Sequence, residues 1–356
     1  MRYTLILAVL LASNSFAAPA FEETMAEAKQ GDAHAQNSLG SMYANGNITP
    51  VDDAESVKWY RKAANQGYAR AQNNLGLMYQ SGKGLPENYA EAVQWYRKAA
   101  EQGYARAQLN LSYAYRNGEG VKKNSRTAAM WLAKAANKGH VDAQNILGDW
   151  YAYGFFPLKR NEDTAIEWYL KAAEKGHADA QRNLGLMLFG IKNDPDSGLK
   201  WIIKAAEKGH ADAQNDLGNI YFGGQGLPKS EPEAAKWFRK AADQGHVMAQ
   251  NNLGLVYANG KGVPKKDAEA TMWYRTAAVQ GYREAQSNLG YAYFTGKGVI
   301  QSDIKAYVWL SVSEINGLRA AKSWLKKLRK RMTKQQIAQA KVLATKCYES
   351  NYKDCD

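Results

Sequence analysis

Apolar residues recur along most of this chain at the three- and four-residue spacing of a helix face, and the pattern restarts at a fixed interval. Residues Ala71 to Arg106 show the unit. Ala71, Leu75 and Tyr79 fall at i, i+4 and i+8, one stripe of a first helix, A. The Gly82-Lys83-Gly84-Leu85-Pro86 stretch punctuates the backbone and ends it. Asn88 followed by Glu91 is a capping signature for a second helix, B, as are Asp52/Glu55 and Ser230/Glu233. Helix B carries Ala92, Trp95, Tyr96, Ala99 and Ala100 on its apolar stripe, with Glu91, Gln94, Arg97 and Lys98 on the wet side, and Gly103 closes it as a left-handed cap.

The dipeptide Ala-Gln marks the register, with glutamine at positions 36, 72, 108, 144, 181, 214, 250 and 286. The intervals are 36 residues except for one of 37 and one of 33. Tryptophan recurs at one phase of helix B, from Trp59 to Trp309. An aromatic at identical phase in each unit belongs to a core, and small residues such as Gly76, Ala99 and Ala100 let helices approach it. A lone helix pair cannot bury its stripe, so the pairs are predicted to stack as an all-α solenoid.

These motifs, A-Q-x-x-L-G-x-x-Y-x-x-G-x-G and then A-x-x-W-Y-x-K-A-A-x-x-G, resemble the Sel-1-like repeat, a relative of the tetratricopeptide repeat, over roughly residues 20 to 320. The resemblance implies a right-handed α/α superhelix that acts as an adaptor for protein complexes, in some exported bacterial members as a regulator of envelope signalling or a host-interaction factor. Several units depart from the pattern. Ser112 replaces the glycine, Leu188 replaces the tyrosine, Gly154-Phe155-Phe156-Pro157-Leu158 replaces one G-x-G loop, and the loop around Lys192-Asn193-Asp194-Pro195 is shortened. A bend or a specialised loop is expected there.

The ends differ from the repeats. Arg2, the apolar run Leu5 to Ala12 and Ser15-Phe16-Ala17 have the features of a signal peptide, cleaved after Ala17 or, as a second choice, Ala20. Eight apolar residues are too few to span a bilayer, and no later segment is apolar enough. The mature chain is therefore expected in the periplasm or secreted. Residues Phe21 to Lys29 resemble a lone helix B. Leu318 to Arg331 reads as a helix, and Thr333 with Gln336 caps another running to about Ser350. The chain thus divides into a signal peptide (1–17), an N-terminal capping helix (18–34), eight repeats (35–320) and basic C-terminal capping helices with a cysteine pair (321–356).

Composition changes the picture little: apolar content is 45%, and only eight prolines interrupt the alanine-rich runs. Net charge is +13, concentrated near the C-terminus in Lys326, Lys327, Arg329, Lys330 and Arg331. An exported protein rarely meets nucleic acid, so this cluster is either a solvated helix face or a weak contact for an anionic envelope surface or acidic partner. The two cysteines, Cys347 and Cys355, would meet an oxidising compartment. Their spacing resembles the pair that cysteine-rich relatives carry in each repeat, which implies a disulfide stapling the terminal cap.

No catalytic motif survives inspection. H-E-x-x-H, G-x-S-x-G and the phosphate-binding loop are absent. His140, His177, His210 and His246 occupy the position held elsewhere by Tyr68, Tyr104 and Tyr282. They read as substitutes for an aromatic, or alternatively as a histidine ladder holding a metal. Ser197 to Lys200 and Ser323 to Lys326 match S-x-x-K, the opening of a serine β-lactamase signature, without its other elements. The expectation is a non-enzyme without cofactor. A weak β-lactam-binding or hydrolysing activity is the alternative, by analogy with the cysteine-rich relatives, and a cell-wall glycan binder is a lesser one.

The binding candidates lie one residue before the repeated leucine of helix A: Asn74, Asn110, Asn183, Asn252 and Asn288, with Asp216 in one unit, while Ser38 and Ile146 break the series. In tetratricopeptide units the matching position faces the concave groove. An amide both donates and accepts, so it suits the backbone or terminal carboxylate of a partner protein or peptide. Arg182, Leu109 and Leu77 would then tune specificity. The alternative is that these asparagines bond to the neighbouring helix.

Overall fold

A computed structural model describes residues 21–46 and 48–355; the signal-like segment lies outside the described residues. These residues form two compact units, the chain passing from the first to the second after His177. The first contains α1 (21–30), α2 (Ala33–Asn45), α3 (Asp53–Asn65), α4 (Ala69–Ser81), α5 (Tyr89–Glu101), α6 (Ala105–Asn117), α7 (Ser125–Asn137), α8 (Val141–Tyr153) and α9 (Glu162–Glu174). The second contains α10 (Ala178–Gly190), α11 (Pro195–Glu207), α12 (Ala211–Gly223), α13 (Glu231–Asp243), α14 (Val247–Asn259), α15 (Asp267–Ala278), α16 (Arg283–Thr295), α17 (Asp303–Ile315), α18 (Ala321–Arg329) and α19 (Lys334–Glu349). Among the described residues there is no β-strand. Even-numbered helices from α2 to α16 are A helices, and each packs on the B helix that follows it. The protein is an all-α repeat solenoid.

Local chemistry starts the B helices where the sequence predicts. Asp52 and Asn88 accept the backbone N–H of Glu55 and Glu91 at 2.9 and 3.1 Å, leaving fewer orphan amides at the first turn. Asn124, Asn161, Asp194 and Ser302 do the same for α7, α9, α11 and α17. The reciprocal capping box forms at Thr333 and Gln336, which start α19. The preceding helix is shorter than the expected Leu318 start: it begins at Ala321, and its N-cap Ala320 has no side chain to hold the first turn.

Two close approaches explain the glycines of the motif. A Cβ on Gly76 would lie 2.6 Å from the Tyr96 ring, so α4 and α5 touch through a bare backbone. A Cβ on Gly84, whose φ is +71°, would lie 2.2 Å from the Asp53 carbonyl oxygen, which fixes the second glycine of G-x-G. Ser112 departs from this rule together with its partner. The facing residue is Leu132 instead of tyrosine, and the Ser112 hydroxyl donates to the Ala128 carbonyl at 2.8 Å.

The repeated glutamine is a joint. Gln72 Nε2 donates to the Ala64 carbonyl near the end of α3 at 3.2 Å, while Gln102, just past α5, donates to Gln72 Oε1 at 2.7 Å. Gln108, Gln144, Gln214, Gln250 and Gln286 repeat the first bond. One buried amide thus links three helices, which explains the strict Ala-Gln register. The Trp stripe is core on one face only. A lysine three residues on stacks its ammonium over the ring in six repeats, at 3.9 to 4.7 Å. Trp309, against the terminal cap, is fully buried.

At the C-terminus α18 and α19 pack on α17. Leu325 and Leu328 enter the core, with Trp324 half-buried between Tyr291 and Phe294. Cys347 and Cys355 form a disulfide with their Cα atoms 4.5 Å apart, and both are buried.

Candidate functional site

The asparagines before the repeated leucine are half-buried on their A helices. Four of them reach back to the preceding A helix. Asn74 Nδ2 donates to Asn37 Oδ1 at 2.9 Å, Asn110 to Asn73 at 2.9 Å, Asn252 to Asn215 at 3.1 Å and Asn288 to Asn251 at 2.8 Å. The acceptors are buried. The amides therefore make the neighbouring-helix bonds that were the alternative to a binding role. They do not use the amides up: Asn74, Asn110 and Asn288 keep the carbonyl oxygen free of intrachain hydrogen bonds among the described residues.

Where the pair changes, both partners change. Asp216 receives Arg182 Nε at 2.6 Å, an ion pair in place of two amides. Leu109 stands where the acceptor would be, is buried, and packs with Ile146 of the next A helix. Two of the three expected specificity residues are corrected by this. Leu109 is only 6% exposed and cannot touch a ligand, and Arg182 is committed to Asp216. Leu77 is 38% exposed and remains accessible. Asn183 is half-buried at the same phase on α10.

Leu77 belongs to a second row that the sequence reading did not collect. One turn beyond each candidate, on the same helix face, stand Leu77 and Tyr113 in the first unit, and Leu186, Asn219, Leu255 and Tyr291 in the second. Leu77, Tyr113, Leu186 and Leu255 are exposed. The signal lay in the residue after the motif's glycine or Ser112, which is Leu or Tyr in five repeats, where a surface residue should be polar, and Ser41, Asp149 or Asn219 in the other three. In the second unit Asn288, Leu255 and Tyr291 join Asn259 and Lys297 around a hollow of about 260 Å³. This arrangement offers amide hydrogen bonding beside apolar contact.

The basic cluster is divided by its contacts. Arg331 Nε donates to Asp303 Oδ2 at 2.8 Å, Arg329 donates to the Tyr307 hydroxyl at 3.3 Å, and the Lys327 ammonium stacks over Trp324 at 4.0 Å. Asp303 holds the Arg331 pKa above its ordinary value through this hydrogen bond. Lys326 and Lys330 are exposed, four residues apart on one face of the helix end.

Three of the four repeat histidines cap helices. Nδ1 of His140, His210 and His246 accepts the backbone N–H three residues on, at 3.4, 3.1 and 3.1 Å. Nε2 of His177, His210 and His246 meets Asp142, Asp179 and Asp212 of the preceding repeat, at 3.3, 2.8 and 2.8 Å. A tyrosine ring cannot accept at that position, and Tyr68, Tyr104 and Tyr282 leave their helices without a side-chain cap. The reading of histidine as a mere aromatic substitute is corrected accordingly. The missed signal was an aspartate two residues after one repeat's histidine, followed by histidine in the next repeat. Among the described residues no group of three or more His, Cys, Asp and Glu could hold a metal.

Both S-x-x-K serines are engaged locally. Ser197 is bonded to Asp194, the N-cap of α11, through its hydroxyl and its N–H, and these bonds hold the Asp194 carboxyl below its usual range. Ser323 donates to the Ala320 carbonyl at 2.9 Å. No described helix is long and apolar enough to cross a membrane.

The Sel1 repeat model matches eight consecutive segments spanning 33–312. Among solved structures, a Sel1 repeat protein from Oxalobacter formigenes is 32% identical, with a TM-score of 0.66, covering 86% of this chain and 89% of that one. The c5321 protein of uropathogenic Escherichia coli strains, described as a protective antigen displaying an SLR fold, is 33% identical with a TM-score of 0.53. That match covers 94% of this chain and 80% of that one. No curated protein matches the chain.

Proposed function

Because this chain belongs to the Sel1 repeat family, we propose that it is a non-catalytic scaffold that works outside the cytoplasm and grips an extended segment of a partner protein along the face of its A helices. The observation that carries this reading is the pairing of two rows on that face: amides with a free carbonyl oxygen at Asn74, Asn110 and Asn288, and exposed apolar side chains one turn on, such as Leu77 and Leu255. An extended chain presents backbone N–H groups and side chains in alternation, so the first row reads the backbone and the second the side chains. Asn183, Asp216 and Asn252 complete the first row. Asp216 and Asn252 are the more committed to neighbours, and their part is to hold the register of the face.

Two further assignments accompany this reading. Segment 1–17 is a signal peptide removed on export, which agrees with the buried disulfide and with the description of the E. coli relative as a protective antigen. Lys326 and Lys330 make the weak, salt-sensitive contact with an anionic envelope surface or partner, the other cations of the cluster being held within the chain.

The test places a photo-crosslinking residue at Leu255 of the full-length precursor, exported in a bacterial host. A specific partner should be captured there, and Leu255→Glu should abolish its binding while leaving the thermal midpoint unchanged. Failure to capture a partner through position 255, or binding of the captured partner that survives Leu255→Glu in a pull-down without the crosslinker, removes the A-helix face as the binding surface. Intact mass of the exported chain reads the cleavage site, and hydrolysis of nitrocefin by the pure protein would overturn the non-catalytic assignment.

A further inference from the structure

The connection between α8 and α9 lacks the G-x-G path of its neighbours and presents aromatic rings to solvent. Phe156 is 65% and Tyr153 72% exposed, and Phe155 sits between the Tyr153 and Trp150 rings with centroid distances of 5.7 and 6.5 Å. Exposed rings of this size are costly to leave in water, and a cluster of them marks an interaction site more often than scattered single residues do. Trp150, Phe155 and Phe156 line a hollow of about 480 Å³ together with Arg116 and Lys123. The Arg126 guanidinium stands 5.4 Å from the Phe156 ring centroid, and that of Arg116 stands 5.8 Å from Trp150.

The charges around the hollow are unbalanced. No acidic residue lines it. Arg116, Lys123 and Arg126 form no salt bridge among the described residues, whereas Arg160, on the same connection, is neutralised by Glu162 at 2.6 Å. Two guanidiniums over apolar rings, with Lys123 beside them on the hollow's lining, call for an anion that also carries apolar surface. The guanidinium forks bind carboxylate by paired hydrogen bonds, and the rings exclude water from those bonds and so strengthen them.

We propose that this aromatic and basic hollow is a second binding site, separate from the A-helix face, which takes an acidic peptide segment in which carboxylates alternate with aromatic or aliphatic side chains. In the bound state Arg116 and Arg126 hold carboxylates, Lys123 supplies long-range attraction, and Phe155 and Phe156 cover the apolar side chains. A peptide fits better than an anionic polysaccharide because Phe155 and Phe156 are exposed and the cations are placed over rings. The Phe155 ring is inclined 70° to Trp150 and 48° to Tyr153, so side chains can enter between the rings, which do not share one plane on which a run of sugars could stack.

The test uses the full mature chain and a fluorescent synthetic peptide alternating glutamate with phenylalanine. Two control peptides alternate lysine with phenylalanine and glutamate with glycine, and an oligogalacturonate is the glycan probe. Fluorescence anisotropy at low salt should show binding of the first peptide alone, weakened by added salt. Both the Arg116→Gln/Arg126→Gln double variant and Phe156→Ala should bind it at least about tenfold more weakly, with an unchanged thermal midpoint because all three side chains are at the surface. Equal binding by wild type and both variants overturns the proposal. So does preference for the oligogalacturonate, which would make the hollow a glycan site, and so does equal affinity for the glutamate–glycine peptide, which would reduce it to a non-specific cationic surface.

Discussion

Arg182 of α10 and Asp216 of α12 form an ion pair, Nε to Oδ2 2.6 Å, at the two positions where other successive A helices join two asparagines. Both side chains are largely shielded, at 25% and 17% exposure. The chain therefore keeps a complementary pair at this contact while changing its chemistry.

That relationship predicts a compensating exchange. Arg182→Asn leaves Asp216 facing an amide without a counter-charge, and Asp216→Asn strands the guanidinium. Each single variant should lose about 1–3 kcal/mol. The double variant restores the amide pair seen at Asn215 and Asn252 and should recover most of that loss. A double-mutant cycle from urea unfolding measures the coupling.

The glycine–tyrosine contact predicts a size exchange. Gly76→Ala drives a Cβ into the Tyr96 ring and should cost about 1–3 kcal/mol by overpacking. Gly76→Ser combined with Tyr96→Leu copies the Ser112–Leu132 arrangement, its hydroxyl bond to the facing helix included, and should be more stable than Gly76→Ala alone. Thermal midpoints of the single and double variants decide the point.

His140 predicts a sensitivity to acid. Burial is the main cause that lowers its pKa, with Arg106 acting in the same direction and Asp142 against it. A histidine depressed in the fold stabilises the protein above the ordinary value of about 6.5. That contribution fades as pH falls through 6.5 toward the folded value, because the unfolded chain takes the proton first. Protonation would also remove the Nδ1 acceptor that caps Ala143. His140→Tyr, the residue used at Tyr68 and Tyr104, should flatten this part of the decline between about pH 7.5 and pH 5. The midpoint difference between variant and wild type across that range is the readout.

The disulfide predicts local stabilisation. Its loop is short, with a separation of eight residues, so replacing both cysteines by serine should cost about 2–3 kcal/mol at most. The loss should be concentrated in α19, which packs on α17. Amide hydrogen exchange should show faster exchange in residues 334–349 and little change before 300.

The sequence by itself determined the period, the alternation of A and B helices and most of their starts. Each of these is written within one helical turn: Ala71, Leu75 and Tyr79 on one stripe, Asn88 capping Glu91, Gly82 closing α4. It also specified the disulfide partners, since the chain has two cysteines. The roles of the candidate residues were less legible. Asn74 meets Asn37 across 37 residues, and Arg182 meets Asp216 across 34. Only the stacking of one helix pair on the next brings such residues within hydrogen-bond reach. The same stacking buried Leu109 against Ile146, gave His210 and His246 their aspartates, and separated Arg331, bound to Asp303, from Lys326 and Lys330, which face water. A residue's type limits what it can bond to, but its partner is fixed by packing between elements distant in sequence. Surface chemistry was therefore decided by tertiary structure, and helix and repeat by the sequence.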